Sequence, residues 1–179
     1  MYSLNVPVPG TVERRAEELR PALLPFDAVR ERRTLVCKRL GGSSADGGRA
    51  SGAERSGGVA RLRERVRTAL AGAPAFEARV ADVDCFERPA SGDAPVVYLA
   101  VESPGLQELH RRLCSTLDPV PRIEGDDYVP HVTLARGGPV EAARRLAERE
   151  VAPVTWTVDR LSLWDASYEE SVDEFRLPA

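Results

Sequence analysis

The sequence is short of cysteine, lysine, histidine and long apolar runs, and each shortage removes a class of explanation. Its three cysteines, Cys37, Cys85 and Cys114, are an odd number with no Cys-x-x-Cys spacing, so neither a disulfide framework nor a zinc knuckle is indicated. They read as reduced, small, mostly buried hydrophobes. No apolar run approaches the roughly 20 residues of a membrane span, and Met1-Tyr-Ser-Leu-Asn lacks the charged and apolar regions of a signal peptide. The expectation is a cytoplasmic protein with no membrane partner. A net charge of −3 argues against wrapping duplex DNA by bulk electrostatics, though a local basic patch is compatible with it. Lys38 is the one lysine. Every other basic residue is arginine, whose planar fork suits phosphate where geometry matters.

What is present fits a globular fold. The 179 residues, 42% hydrophobic and 30% charged, can bury a sizeable core as one domain or as two small lobes. Tyr2, Leu4 and Val6 alternate with polar neighbours and predict an opening strand, which Pro7 confines to an edge or an end. Thr11 can cap a helix carrying Val12, Ala16, Leu19 and Leu23. Arg32 to Leu40 then reads as a second strand with basic residues at each end.

Residues 41 to 58 are rich in glycine and serine and predict a flexible surface loop. Without a Gly-Lys-Ser/Thr ending, that loop is not a phosphate-binding P-loop. Val59 to Leu70 follows as an arginine-rich amphipathic helix whose arginines read as a solvated face, and Phe76 to Phe86 as a strand. After Ser91-Gly92-Asp93 come a strand over Pro95 to Val101 and a helix started by Ser103-Pro104. His110 lies beside that helix's leucine stripe and reads as a structural residue rather than a ligand.

The chemical centre of the sequence is Tyr128-Val-Pro-His-Val-Thr-Leu-Ala-Arg-Gly137, an apolar run with strand character. Side chains alternate faces along a strand, so His131 and Thr133 share one face while Val132 and Leu134 pack on the other. An imidazole with an unperturbed pKa near 6.5 exchanges protons at neutral pH, and a hydroxyl beside it can donate to a phosphate oxygen. Alone, a His-x-Thr is more often the mark of a core histidine beside a strand threonine. Pro139 then opens a helix, Val154 to Trp164 reads as one long strand, and Ser171 to Leu177 as a short last one.

Both halves share one order: strand, helix, Thr-Leu strand, helix, long strand ending in an aromatic residue. Thr34-Leu35 falls opposite Thr133-Leu134, and Val80, Val83 and Phe86 fall opposite Val158, Leu161 and Trp164. The expected fold class is therefore α+β: a single domain of two pseudo-twofold αβ lobes with antiparallel sheets around a central cleft. Lobe one covers about residues 1–90 and lobe two about 95–179.

On these residues the chain resembles the two-histidine (2H) phosphoesterase superfamily, in its 2′-5′ RNA ligase and RNA 2′,3′-cyclic phosphodiesterase branch. The resemblance implies a metal-independent, cofactor-free monomer that acts on RNA ends or cyclic nucleotides. In that family each lobe supplies a His-x-Thr/Ser, one histidine acting as base and the other as acid. Carried over, His131, Thr133 and Thr34 are the implied catalytic residues, with Arg136 near substrate. The first motif departs from the pattern. Aligned on the threonine, Arg32 stands in the lost histidine's place, with Arg33 the alternative, and an arginine can hold phosphate but cannot serve as a base. An enzyme weakened at one position, an RNA-end or nucleotide-binding module without turnover, and a fold that kept no chemistry all remain open.

Overall fold

The computed structural model describes residues 1–40 and 52–178. Among these, the strands are β1 (Tyr2–Val6), β2 (Ala28–Val29), β3 (Leu35–Leu40), β4 (Phe76–Phe86), β5 (Val96–Glu102), β6 (His131–Arg136), β7 (Val154–Val158), β8 (Arg160–Asp165) and β9 (Glu170–Arg176). The α-helices are α1 (Gly10–Leu19), α2 (Gly52–Leu70), α3 (Pro104–Cys114) and α4 (Val140–Ala147). The strands form one curled antiparallel sheet in the order β7-β4-β5-β6-β3-β1-β8-β9, with β2 beside β6. One contiguous apolar cluster fills the interior, from Leu4 and Leu35 in the first half to Leu134 and Leu163 in the second. Helix α3 packs on β3 and β4, and α4 on β4 and β5.

Several local expectations hold for the reasons given. Strand β4 has the predicted bounds. The Ser103 hydroxyl accepts from Leu106 N at 3.1 Å and caps α3, with Pro104 in its first turn. Others shift. Thr11 lies inside α1, whose N-cap is Pro9 with no side-chain hydrogen bond. Strand β3 starts at Leu35 rather than Arg32. The expected loop over 41–58 falls partly on residues 41–51, which lie outside the described residues, and from Gly52 the chain is already helical.

The long strand expected over Val154 to Trp164 is two strands divided at Asp159, and they pair at opposite ends of the sheet. Strand β7 hydrogen-bonds to β4, whereas β8 hydrogen-bonds to β1. The same exchange occurs in the first half, because β4 pairs with β5 and β7. Sequence halves and spatial halves therefore do not coincide. Within the one sheet, each half's last long strand pairs with the first strand of the other half, β4 with β5 and β8 with β1.

A candidate phosphate-handling cleft

Strands β3 and β6 lie side by side at the middle of the sheet, with Leu35 paired to Val132. Carrying that antiparallel register one residue either way sets Thr34 across from Thr133 and Val36 across from His131. All four residues line a cleft of about 910 Å³. Neighbouring strands stand about 4.7–4.9 Å apart, which brings these side chains to one small floor.

Each of the two strands carries a β-bulge, and the bulges decide which side chains reach the cleft. On β3 the pairing with β1 skips Cys37, since Leu4 opposes Lys38 and Asn5 opposes Val36. On β6 the pairing with β5 skips Leu134, since Val97 opposes Ala135 and Tyr98 opposes Thr133. One extra residue reverses the alternation beyond it. Lys38 and Ala135 consequently turn into the core, while Arg39 and Arg136 turn into the cleft.

Matching the bulges superposes the two strands in a register that the shared Thr-Leu dipeptide conceals. Cys37 matches Leu134, Val36 matches Thr133 and Thr34 matches His131, with Arg39 the counterpart of Arg136. The expectation that Arg32 replaces the first histidine is thereby corrected. The pseudo-twofold counterpart of His131 is Thr34, and the counterpart of Thr133 is Val36. Arg32 precedes the strand and is exposed at the cleft wall, its guanidinium carbon 4.1 Å from the centre of the Trp164 ring. Arg33 is not among the cleft-lining residues. It is buried against α1, where Nη2 donates to Glu17 Oε1 at 2.6 Å and Nη1 to the Glu31 carbonyl at 2.5 Å.

The long-strand alignment, in contrast, has a structural counterpart. Phe86 meets the His131 ring edge-on at 5.3 Å, and the matching Trp164 underlies Arg32 in the other lobe. The Tyr98 ring lies 5.1 Å from His131, and its hydroxyl donates to Asp84 Oδ2 at 3.2 Å. Two aromatic rings thus fix the imidazole plane. Burial, reinforced by the nearby Asp84 carboxylate, pushes the Tyr98 phenol well above its ordinary range, so it stays protonated.

His131 is half-buried, with Nδ1 2.7 Å from the Val129 carbonyl oxygen. A carbonyl only accepts, so Nδ1 carries the proton and donates, and Nε2 of the neutral ring keeps its lone pair. Desolvation lowers the pKa of His131 below 6.5, and the charges of Arg39 and Arg136 lower it further against the opposing effect of the Val129 bond. At neutral pH the ring is uncharged and competent to accept a proton. His110 is absent from the cleft lining and serves the core. Its Nδ1 donates to the Cys37 carbonyl at 2.7 Å, its Nε2 accepts from Gly125 N at 2.9 Å, and its ring stacks on Tyr128 at 3.8 Å.

The cleft is electropositive. Arg30, Arg32, Arg39, Arg88, Arg122 and Arg136 line it against the carboxylates Glu31, Asp127 and Glu169. None of the six makes an ion pair with a described carboxylate. Among the described residues there is no cluster of histidine, cysteine, aspartate and glutamate able to hold a metal ion, and no helix is long and apolar enough to cross a membrane. Of these arginines, Arg32 and Arg136 are expected from sequence, Arg30, Arg88 and Arg122 are not, and neither is Arg39. Strict alternation from Thr34 assigns it to the opposite face, and nothing in Val36-Cys37-Lys38 signals the bulge.

The sequence profile of the 2′-5′ RNA ligase superfamily matches residues 48–169, more than half of the chain. The chain belongs to that superfamily. The matched span contains His131-x-Thr133 and does not reach Thr34 to Arg39. No curated protein matches the sequence. Among solved structures, E. coli LigT complexed with 3′-AMP matches with a TM-score of 0.63 at 18% identity, covering 99% of this chain and 98% of that one. LigT complexed with NADP+ matches at 0.60 and 19%, covering 99% and 97%. TT0787 of Thermus thermophilus matches at 0.61 and 21%, covering 98% and 97%. At these identities the likeness is one of fold: the curled antiparallel sheet is the one LigT has.

Proposed function

We propose that the cleft performs phosphodiester chemistry at RNA ends, opening terminal 2′,3′-cyclic phosphates with a single histidine. The observation that carries this reading is the orientation of His131: Nδ1 is committed to the Val129 carbonyl, the ring is held neutral, and Nε2 is the nitrogen free to act. Water attacks phosphorus and gives a proton to Nε2. The bond from phosphorus to one ribose oxygen breaks, and that oxygen leaves as an alkoxide. The alkoxide takes its proton from solvent, because attacking and leaving oxygens lie in line on opposite sides of phosphorus and one imidazole cannot serve both at once. The net change is one water added and one phosphomonoester formed.

In this reading Thr133 and Thr34, which line the cleft on the two central strands, donate to phosphate oxygens, and Arg39 and Arg136 supply positive charge from either side. Ring opening of a strained cyclic ester depends less on an acid for its leaving oxygen than cleavage of a linear diester does. A site with one proton-transfer group therefore suits the cyclic ester better. LigT, which shares the fold, has been crystallised with nucleotides, and the proposed substrate is of that chemical kind.

A second reading, RNA-end binding without turnover, is favoured by Thr34 and Val36 standing where the first lobe would carry its histidine and hydroxyl. Hydrolysis of adenosine 2′,3′-cyclic phosphate by purified protein separates the two. Turnover abolished in His131→Ala supports catalysis, whereas affinity for 3′-AMP with no turnover supports binding alone.

A further inference from the structure

From the arginines at one end of the cleft we infer that the site takes a ligand with a second phosphate, the internucleotide phosphate preceding the terminal nucleotide of an RNA strand. The inference rests on the proposed reading only in taking the cleft floor as the place of the terminal phosphate. Thr34, Thr133, Arg39 and Arg136 already suffice for that one group.

The Arg136 end holds more charge than one phosphate requires, and the charge is built in by the backbone. Strand β2 runs antiparallel beside the end of β6, and Arg30 N, just beyond β2, donates to the carbonyl of the bulged residue Leu134 at 2.8 Å. The bulge that turns Arg136 into the cleft is thus tied to the backbone that presents Arg30. Arg136 Nη1 in turn donates to the Ser91 carbonyl at 3.2 Å, on the segment that carries Arg88 into the same cleft. That segment closes tightly. A Cβ on Gly92, whose φ is +77°, would lie 3.0 Å from Arg136 Nη1.

Arg30, Arg88 and Arg136 make no direct ion pair with a described carboxylate; Glu31 lines the cleft, and the charges of Asp93 and Glu87 act on Arg136 and Arg88 without closing a pair. Outside the cleft, by contrast, Arg15, Arg79, Arg111 and Arg144 each lie within ion-pair distance of a glutamate. Desolvation and the nearby charges of Arg30 and Arg39 push Arg136 below its ordinary range against the opposing charge of Asp93, so cations outweigh anions around it. The other end differs. There Arg39 and Arg122 are interspersed with Asp127 and with Ile123, Tyr128 and Val129, a mixed surface suited to a nucleoside. A volume of about 910 Å³ lies near the top of the ~300–1,000 Å³ that small-ligand sites span.

The test is equilibrium binding of three probes that carry no cyclic phosphate: adenosine 3′-monophosphate, adenosine 3′,5′-bisphosphate and the dinucleotide ApAp. The second and third should bind about tenfold tighter than the first, the worth of one further charge-assisted contact. Their log K against log salt should be steeper by about 0.7, as expected for one more neutralised phosphate on a single strand. In Arg30→Gln and Arg88→Gln the ratio of bisphosphate to monophosphate affinity should fall toward one. Three outcomes overturn the inference: equal affinity for all three probes, a gain for ApAp without one for the bisphosphate, or a gain that survives both substitutions. Activity on cyclic phosphates, and its loss in His131→Ala, bears on the proposed chemistry and leaves this result unaffected.

Discussion

Thr34 and His131 occupy equivalent places on the two central strands, each followed by a bulge and then by an arginine that faces the cleft. The asymmetry of the site reduces to what those places hold. A threonine hydroxyl donates a hydrogen bond but does not exchange protons near neutral pH, so the first lobe retains a phosphate contact and lacks a proton-transfer group.

Restoring the group gives the most direct test of the register. Thr34→His with Val36→Thr should rebuild a His-x-Thr diagonal to the existing one and raise turnover of 2′,3′-cyclic nucleotides by at least tenfold, toward the about 10²–10⁴ that a positioned acid or base is worth. Arg32→His should not do so, because Arg32 precedes β3 and rests on Trp164. Equal rescue by the two designs would overturn the bulge-matched register.

The buried pair Lys38–Glu124 supports a separate prediction. Lys38 Nζ, 0% exposed, donates to Glu124 Oε2 at 2.5 Å, and Glu124 also accepts from Arg39 N at 2.5 Å and Val120 N at 2.8 Å. This carboxylate ties β3 to the segment that carries Arg122, Ile123 and Asp127 into the cleft. Lys38→Met leaves it buried without its cation and should cost about 3–5 kcal/mol. Lys38→Met with Glu124→Gln should recover part of that loss in denaturant unfolding.

Acid should destabilise the fold through His110. Burial lowers its pKa below 6.5, and its Nε2 accepts from Gly125 N only while unprotonated. The unfolded histidine titrates near 6.5. Below that pH the unfolded chain binds the proton first, so this part of the stability is fully present above about 6.5 and is lost as pH falls through the lower folded value. Unfolding midpoints at pH 7.5 and 5 should differ less in His110→Gln than in the parent.

These outcomes also bear on what the sequence could disclose. Local signals were legible: β4 as Phe76–Phe86, the Ser103 cap of α3, and His131 with Thr133 on one strand face. Relations between distant residues were less so. The exchange of β4 and β8 between lobes leaves no mark in periodicity, because each strand alternates in the same way whichever neighbour it pairs with. The bulges misled more directly. Thr34-Leu35 and Thr133-Leu134 look equivalent as dipeptides, yet counting outward from Cys37 and Leu134 moves the match by two residues and exchanges Arg32 for Thr34.

The last prediction tests the arginines that those bulges turn inward. Arg39 and Arg136 both depress the pKa of His131, so removing either charge should move it upward, toward but not up to 6.5, since desolvation is the larger cause and remains. The chain has two histidines, which makes the titration of each readable by NMR. Arg39→Gln and Arg136→Gln should each raise the His131 pKa and leave His131 more protonated at pH 6. If His131 is the base, the acid limb of the pH–rate profile should move to higher pH in step with the NMR value. Affinity for 3′-AMP should fall about tenfold in each, because each loses one charge-assisted phosphate contact. Arg33→Gln offers the contrast. Its guanidinium is spent on Glu17 and the Glu31 carbonyl, away from the cleft, so it should lower stability and leave the His131 titration in place. A His131 pKa that moves with Arg33 but not with Arg39 would show that strand alternation without bulges describes the site better.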